Sequence, residues 1–426
     1  MTDLIDYIHQ SPSPAHAVQA SCRMLQEVGF TPLEPNVRWE LAAGGRYYVP
    51  IFGTSLVAFT IGSDWKPSDA LHLAAAHTDY PCLRVKPAPE QVAGGCCKLN
   101  IEPYGGMIYS TWLDRPLSMA GRISIKTDDP LLPKTRLVRF DRPVLTIPNL
   151  AIHMNREINK GVELKPAVDL LPLCRTVGEK WEKDGYLLHK LAQTAGCGED
   201  EILSYDLCVC NAEPATLVGL EQDMLSSPRL DNLTSCYACI RALLGAKHTR
   251  GINAAVLFDN EEVGSKTKQG ADSALLSHIL EKIALTMGLD RLDFLNSLMG
   301  GLLLSCDVAH AAHPNHMELS DPSCQPVMNG GVVIKLNHNQ AYPTDPTGTA
   351  LVEGLCRAHG ISHQWFMNKA GQRGGSTLGA LASAQLAMPT VDIGVPILAM
   401  HSARELMGAK DEEALIELLS AFFART

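Results

Sequence analysis

The sequence predicts an α/β protein with a catalytic domain on a mostly parallel central sheet, assembled from both ends of the chain, and an inserted β-rich domain between those ends. Its 426 residues exceed the roughly 250 to 300 over which a single core keeps growing. Short apolar runs alternate with helical patterns after Pro228, and a similar run lies far upstream at Leu71–Ala76, the signature of strands and helices sharing one sheet. From about Lys86 to Leu220 the pattern changes to period-two stretches broken by Pro and Gly. The expected division is therefore 1–86 and 220–426 for the catalytic domain and 87–219 for the insert.

Along the chain, Ser11-Pro12-Ser13-Pro14 supplies helix-start signals, and apolar residues then recur at helical spacing from Ala17 through Leu25 to Val28. Leu71–Ala76 reads as a short buried strand. In the insert, Arg122–Ile125 and Thr135–Ile147 alternate with period two. Ala254–Phe258, Gly301–Ser305 and Val332–Ile334 are the clearest strands of the second part.

Composition narrows the function. A net charge of −10, with no dense basic patch to offset it, opposes nucleic-acid binding. The start Met1–Asp6 lacks the basic and apolar regions of a secretory signal. No apolar run approaches the roughly 18 residues that span a bilayer, so a cytoplasmic protein with no membrane partner is expected. Thirteen scattered cysteines, odd in number and without paired CxxC spacing, fit reduced buried thiols rather than disulfides or a structural zinc site.

Acids and histidines fall where strands finish. Leu71–Ala76 runs into His77-Thr78-Asp79, Ala254–Phe258 into Asp259-Asn260-Glu261-Glu262, and Gly301–Ser305 into Cys306-Asp307. In open α/β sheets, sites form outside the carboxyl ends of strands, where distant residues converge. Asp231 and His401, on connecting segments, complete a set of two imidazoles and several carboxylates. Such donors suit two divalent ions, with one carboxylate bridging. Two metals roughly 3.5 to 4 Å apart can clamp a water, lower its pKa and polarise a scissile carbonyl. Adjacent Glu261 and Glu262 fit a division of labour, because neighbours in an extended segment point opposite ways and one can ligate while the other acts as base. Each residue alone has a plainer reading as a helix cap or turn acid; the joint pattern carries the inference. There is no HExxH helix and no GxSxG elbow, and Gly264-Ser265-Lys266-Thr267 lacks the P-loop spacing.

Several stretches, in order, resemble the M18 metallopeptidases, the aspartyl aminopeptidase group: Ser11–Val18, His77-Thr78-Asp79, Trp112-Leu113-Asp114-Arg115, Ser227–Asn232, Asp259–Ser265, Asp307–Asn315 and Met400-His401-Ser402. The resemblance implies that His77, Asp231, Glu262, Asp307 and His401 are metal ligands, with Asp231 as bridge. It implies Glu261 as general base and Asp79 as the carboxylate that orients the His77 ring. It also implies a zinc-peptidase fold whose insert builds homodimers, and a tetrahedral homododecamer enclosing the active sites. The cofactors would be two divalent ions per subunit, zinc first, with cobalt or manganese accepted.

By the same resemblance, His153 reaches a neighbouring subunit's active site and Lys335 meets an acidic substrate side chain; an ordinary strand histidine and a snorkelling surface lysine are the plain alternatives. The chain departs from the family pattern at Ala370–Ser376, where Arg373 either adds positive charge to the pocket or points into solvent. The expected activity is hydrolysis of the N-terminal peptide bond of peptides with a free N-terminus, preferring Asp or Glu. A two-metal exopeptidase of broad or neutral specificity, a carboxypeptidase, and a non-catalytic assembly protein remain alternatives.

Overall fold

The computed structural model describes residues 1–178, 181, 184–372 and 374–424. The chain divides into two units, Met1–Asp79 with Ala215–Met400 and Glu405–Thr426, and Tyr80–Pro214 with His401–Arg404. The second unit starts before the 87 expected, because one strand, Cys82–Ala93, runs through the expected boundary. The return of His401–Arg404 to that unit has no signal in the local sequence.

A nine-stranded mixed sheet organises the first unit. Its order is Thr31–Pro32, Arg46–Ile51, Ser55–Ile61, Ile252–Phe258, Leu71–His77, Leu302–Cys306, Thr390–Gly394, Val332–Leu336 and His363–Met367. The four strands from Ile252–Phe258 to Thr390–Gly394 are mutually parallel. Their apolar runs are continuous because both faces are covered. Side chains alternate between the two cores: Ala74, Ala76, Ala255, Leu257 and Leu304 enter one, and Leu73, Ala75, Ala254, Val256 and Leu303 the other. The first core is closed by helices Thr2–Gln10, Pro14–Glu27, Leu230–Gly245, Pro346–His359 and Asp411–Phe423, the second by Leu275–Thr286, Arg291–Met299 and Leu378–Leu386. The helix expected after Ser11–Pro14 is present at Pro14–Glu27, with Ser13 as its cap accepting from the His16 N–H.

The second unit holds a six-stranded, wholly antiparallel sheet, in the order Lys134–Arg139, Leu117–Ile125, Ile202–Asn211, Cys82–Ala93, Cys96–Tyr104 and Leu173–Thr176. The stretch expected to alternate from Thr135 to Ile147 keeps its strand only as far as Arg139, and Pro143 lies in the segment that follows. None of the thirteen cysteines is in a disulfide. No helix among the described residues is long and apolar enough to cross a membrane.

Candidate metal centre

Strand order explains why residues far apart in sequence meet. Leu71–His77 lies between Ile252–Phe258 and Leu302–Cys306, with Phe258 level with His77. The three carboxyl ends therefore present His77 flanked by Glu261 and Glu262 on one side and Asp307 on the other. Asp231 comes from the start of the Leu230–Gly245 helix, where it and Asn232 keep non-helical backbone angles and share a cis peptide bond. Its N–H donates to the buried Glu405 carboxylate at 3.0 Å.

Within this group the His77 ring is central. Its Nδ1 lies 3.0 Å from the Asp79 carbonyl and 3.4 Å from an Asp79 carboxylate oxygen. The carbonyl can only accept, so Nδ1 carries a proton and Nε2 faces Asp231 at 3.5 Å and Asp307 at 3.6 Å. Donor atoms of His77, Asp231 and Asp307 lie within 4.8 Å of one another, as do those of His77, Glu261 and Glu262. Asp231 and Glu262 likewise approach within 4.8 Å, so Asp231 belongs to both halves of the cluster.

Glu261 and Glu262 are not in extended backbone as expected; they open a 3-10 turn, Glu261–Val263, after Asn260 in the left-handed region at φ 63°. The cause is Asp79, whose two carboxylate oxygens each accept one consecutive N–H, from Glu261 and from Glu262, at 3.1 Å. Successive side chains in such a turn still diverge by about 120°, so the two acids face different directions. Asp79 thus shapes the acidic turn as well as approaching the His77 ring.

Crowding of like charge is severe. Burial, with Asp231 adding to it, pushes the Glu262 carboxyl well above the ordinary carboxylate range. Burial raises Glu261 to about 8, His77 opposing and Asp307, Asp79 and Asp231 reinforcing. Burial alone would lower His77, but Asp231, Asp307 and Asp79 hold it well above the usual imidazole value. Five carboxylates around one imidazole are an arrangement that bound cations stabilise, and imidazole nitrogen with carboxylate oxygen is the donor set of zinc-type ions.

The remaining expected residues lie as follows. His401 belongs to the second unit, where its Nδ1 meets the Gly106 carbonyl at 2.9 Å. His153, also in the second unit, is exposed on a turn rather than in a strand. Lys335 is 1% exposed, so it does not snorkel; its ammonium lies 3.8 Å from Asp307 and 3.7 Å from Asp392. Burial works against that charge, but Asp307 and Asp392 lift the Lys335 pKa above its ordinary value. Arg373 lies outside the described residues. Sequence reasoning missed Asp392 and Glu405, both buried. An acid inside the apolar strand Thr390–Gly394 was the available signal for the first.

Fold and site together are those of an α/β metallohydrolase. The chain belongs to the M18 family of metallopeptidases, and the family model, Aminopeptidase I zinc metalloprotease, matches residues 7–423. A probable M18 family aminopeptidase 2 of Clostridium acetobutylicum is 43% identical over 421 residues, covering 99% of this chain and 97% of its own. Among solved structures, a chain of the Ape4 and Nbr1 complex gives a TM-score of 0.95 at 34% identity, covering 99% of this chain and 85% of that one. The yeast mApe1 dodecamer gives 0.86 at 28% identity, covering 99% and 95%.

Proposed function

We propose that this metallo-aminopeptidase works with two divalent ions, held by His77, Asp231, Glu262, Asp307 and His401 with Asp231 between them, and that Glu261 is its general base. The observation that carries the reading is the convergence of His77 with Asp231, Asp307, Glu261 and Glu262 at the ends of adjacent parallel strands. Such ions, zinc first and cobalt or manganese as substitutes, supply a water made acidic near neutral pH and polarisation of the scissile carbonyl. Glu261 takes the proton from the attacking water and returns it to the leaving amine. Asp79 holds the His77 ring and the Glu261–Glu262 turn in place. The inclusion of His401 rests on the family resemblance, and its Nδ1 contact to Gly106 leaves Nε2 as the coordinating nitrogen.

The substrates are peptides with a free N-terminus, and the finer reading is a preference for Asp or Glu there, supported by the resemblance. A broad or neutral specificity is the second reading; the enclosure of Lys335 between Asp307 and Asp392 favours it. His153 serves a neighbouring subunit's site in this proposal, and its exposure is compatible with that role. Homodimers built through the second unit, assembling into a tetrahedral dodecamer, are supported by the likeness to a solved dodecamer and by the exposed Leu131, Leu132, Leu150, Ile152 and Met154. The thirteen cysteine thiols support a reducing, cytoplasmic setting.

The test is hydrolysis of Asp-, Glu-, Leu- and Ala-anilides by wild type and Glu261→Gln, before and after chelation. Turnover lost on chelation, lost in the variant and fastest on Asp or Glu is expected. A clear preference for Leu would reject the acidic specificity, and cleavage of N-blocked peptides assayed alongside, with none of the four anilides turned over, would reject aminopeptidase action.

A further inference from the structure

Within the second unit, His401–Arg404 is gripped by two neighbouring segments, 106–111 and 211–214. Ala403, 3% exposed in the core of that unit, is held on both sides. Its N–H donates to the Thr111 hydroxyl at 2.9 Å, and its carbonyl accepts from the Asn211 side-chain amide at 2.9 Å. Two residues earlier, the His401 carbonyl accepts the Ile108 N–H at 3.0 Å, and the ring Nδ1 donates to the Gly106 carbonyl at 2.9 Å. One residue later, the Arg404 guanidinium donates to the Pro214 carbonyl at 2.9 Å. His401 needs such restraint, because its φ of 66° lies in the left-handed region, which residues with a Cβ seldom occupy.

Both groups that hold Ala403 are themselves fixed. Thr111 lies in the 3-10 turn Tyr109–Trp112, and its hydroxyl donates to the Ile108 carbonyl at 2.7 Å, which turns an oxygen lone pair to the Ala403 N–H. Arg115 donates to the Thr111 carbonyl at 2.7 Å and pairs with the Glu213 carboxylate. Asn211, buried at the end of strand Ile202–Asn211, accepts the Glu213 N–H through its side-chain oxygen at 2.8 Å, so that its amide nitrogen faces Ala403.

From this geometry we infer that Thr111 and Asn211 are positioning residues for His401. By clamping Ala403 from both sides they hold the left-handed turn at His401, keep its Nδ1 on Gly106 and so set the direction in which Nε2 is offered to a metal. The stretch Trp112–Arg115, to which the proposed mechanism gives no task, takes one here through Arg115, as support for the turn that carries Thr111. The inference rests on His401 being a ligand of the proposed centre.

The test titrates cobalt into metal-free wild type, Thr111→Val, Thr111→Ser, Asn211→Leu and His401→Ala, read by visible absorption and by bound cobalt in elemental analysis. His401→Ala is expected to lose one of two bound ions. Thr111→Val and Asn211→Leu should weaken binding of that same ion about 10- to 100-fold, change its absorption bands and leave the other ion at wild-type affinity. Thr111→Ser, which keeps the hydroxyl, should restore affinity and spectrum. Equal weakening of both ions, or a Thr111→Ser as defective as Thr111→Val, would overturn the inference, because a general loosening of the fold produces either result. Wild-type affinity and spectrum in Thr111→Val and Asn211→Leu would overturn it as well; should Thr111→Val not fold, Asn211→Leu decides alone. A His401→Ala protein that keeps both ions at wild-type affinity defeats the ligand reading and the inference with it. That result is distinct from a His401→Ala that loses an ion while the Thr111 and Asn211 variants bind as wild type.

Discussion

Glu261 carries the proton transfer in the proposed mechanism, and its surroundings explain why an acid is needed there. Burial and the neighbouring carboxylates raise it to about 8. A bound cation stabilises the ionised form, so its charge state follows occupancy of the site. Glu261→Gln keeps the shape and the acceptor oxygen but removes the base. Its kcat should fall by about 10² to 10⁴, with metal content at the wild-type level by elemental analysis. Near-normal turnover in the metal-loaded variant would remove Glu261 from its role. Glu262, one residue on, has a different expected duty because the turn set by Asp79 sends the two side chains apart.

At the scale of elements, what holds the strand ends in register is open to test. Asp69, ahead of the Leu71–His77 strand, pairs with Arg250, ahead of Ile252–Phe258, and also accepts the Gly251 N–H at 3.0 Å and the Lys66 N–H at 2.8 Å. Burial opposes its ionisation, but Arg250 and these N–H groups outweigh it and bring Asp69 to about 2. Because that is below the ordinary value of 3.8, the stabilisation is fully present above that value and is lost as pH falls towards 2. Asp69→Asn should cost about 1 to 2 kcal/mol at pH 7 once solvent screening is allowed for. The gap to wild type, measured by urea denaturation, should narrow as pH drops from 4 towards 2; a gap independent of pH would refute the linkage.

Much at this scale was legible beforehand. Leu71–His77, Ile252–Phe258 and Leu302–Cys306 announced themselves because burial on both faces demands continuous apolar runs. The acids after them were legible because sites gather at carboxyl ends. The Glu261–Glu262 turn was not, since it depends on two N–H groups meeting Asp79 from another strand. Nor was the pairing of Lys335 with Asp392, which is supplied by antiparallel register between strands that are not consecutive in the chain. Helix Thr2–Gln10 escaped notice too, although Leu4, Tyr7 and Ile8 bury one face of it.

For the whole molecule, the second unit bears a run of exposed apolar side chains, with Leu131 86% and Met154 76% exposed. Such groups gain by burial against another copy. Light scattering coupled to gel filtration should give a mass well above the 46.1 kDa of one chain, and Leu150→Asp with Met154→Asp should lower it; a monomeric wild type would contradict the assembly. The proposed two-ion centre, with His77, Asp231, Glu262, Asp307 and His401 as its ligands, is smaller in extent. Crystals grown with zinc and measured at its absorption edge test it most directly. Two anomalous peaks per chain are expected, both among these five side chains and both touching Asp231. A single peak, or peaks ligated by other residues, would contradict it.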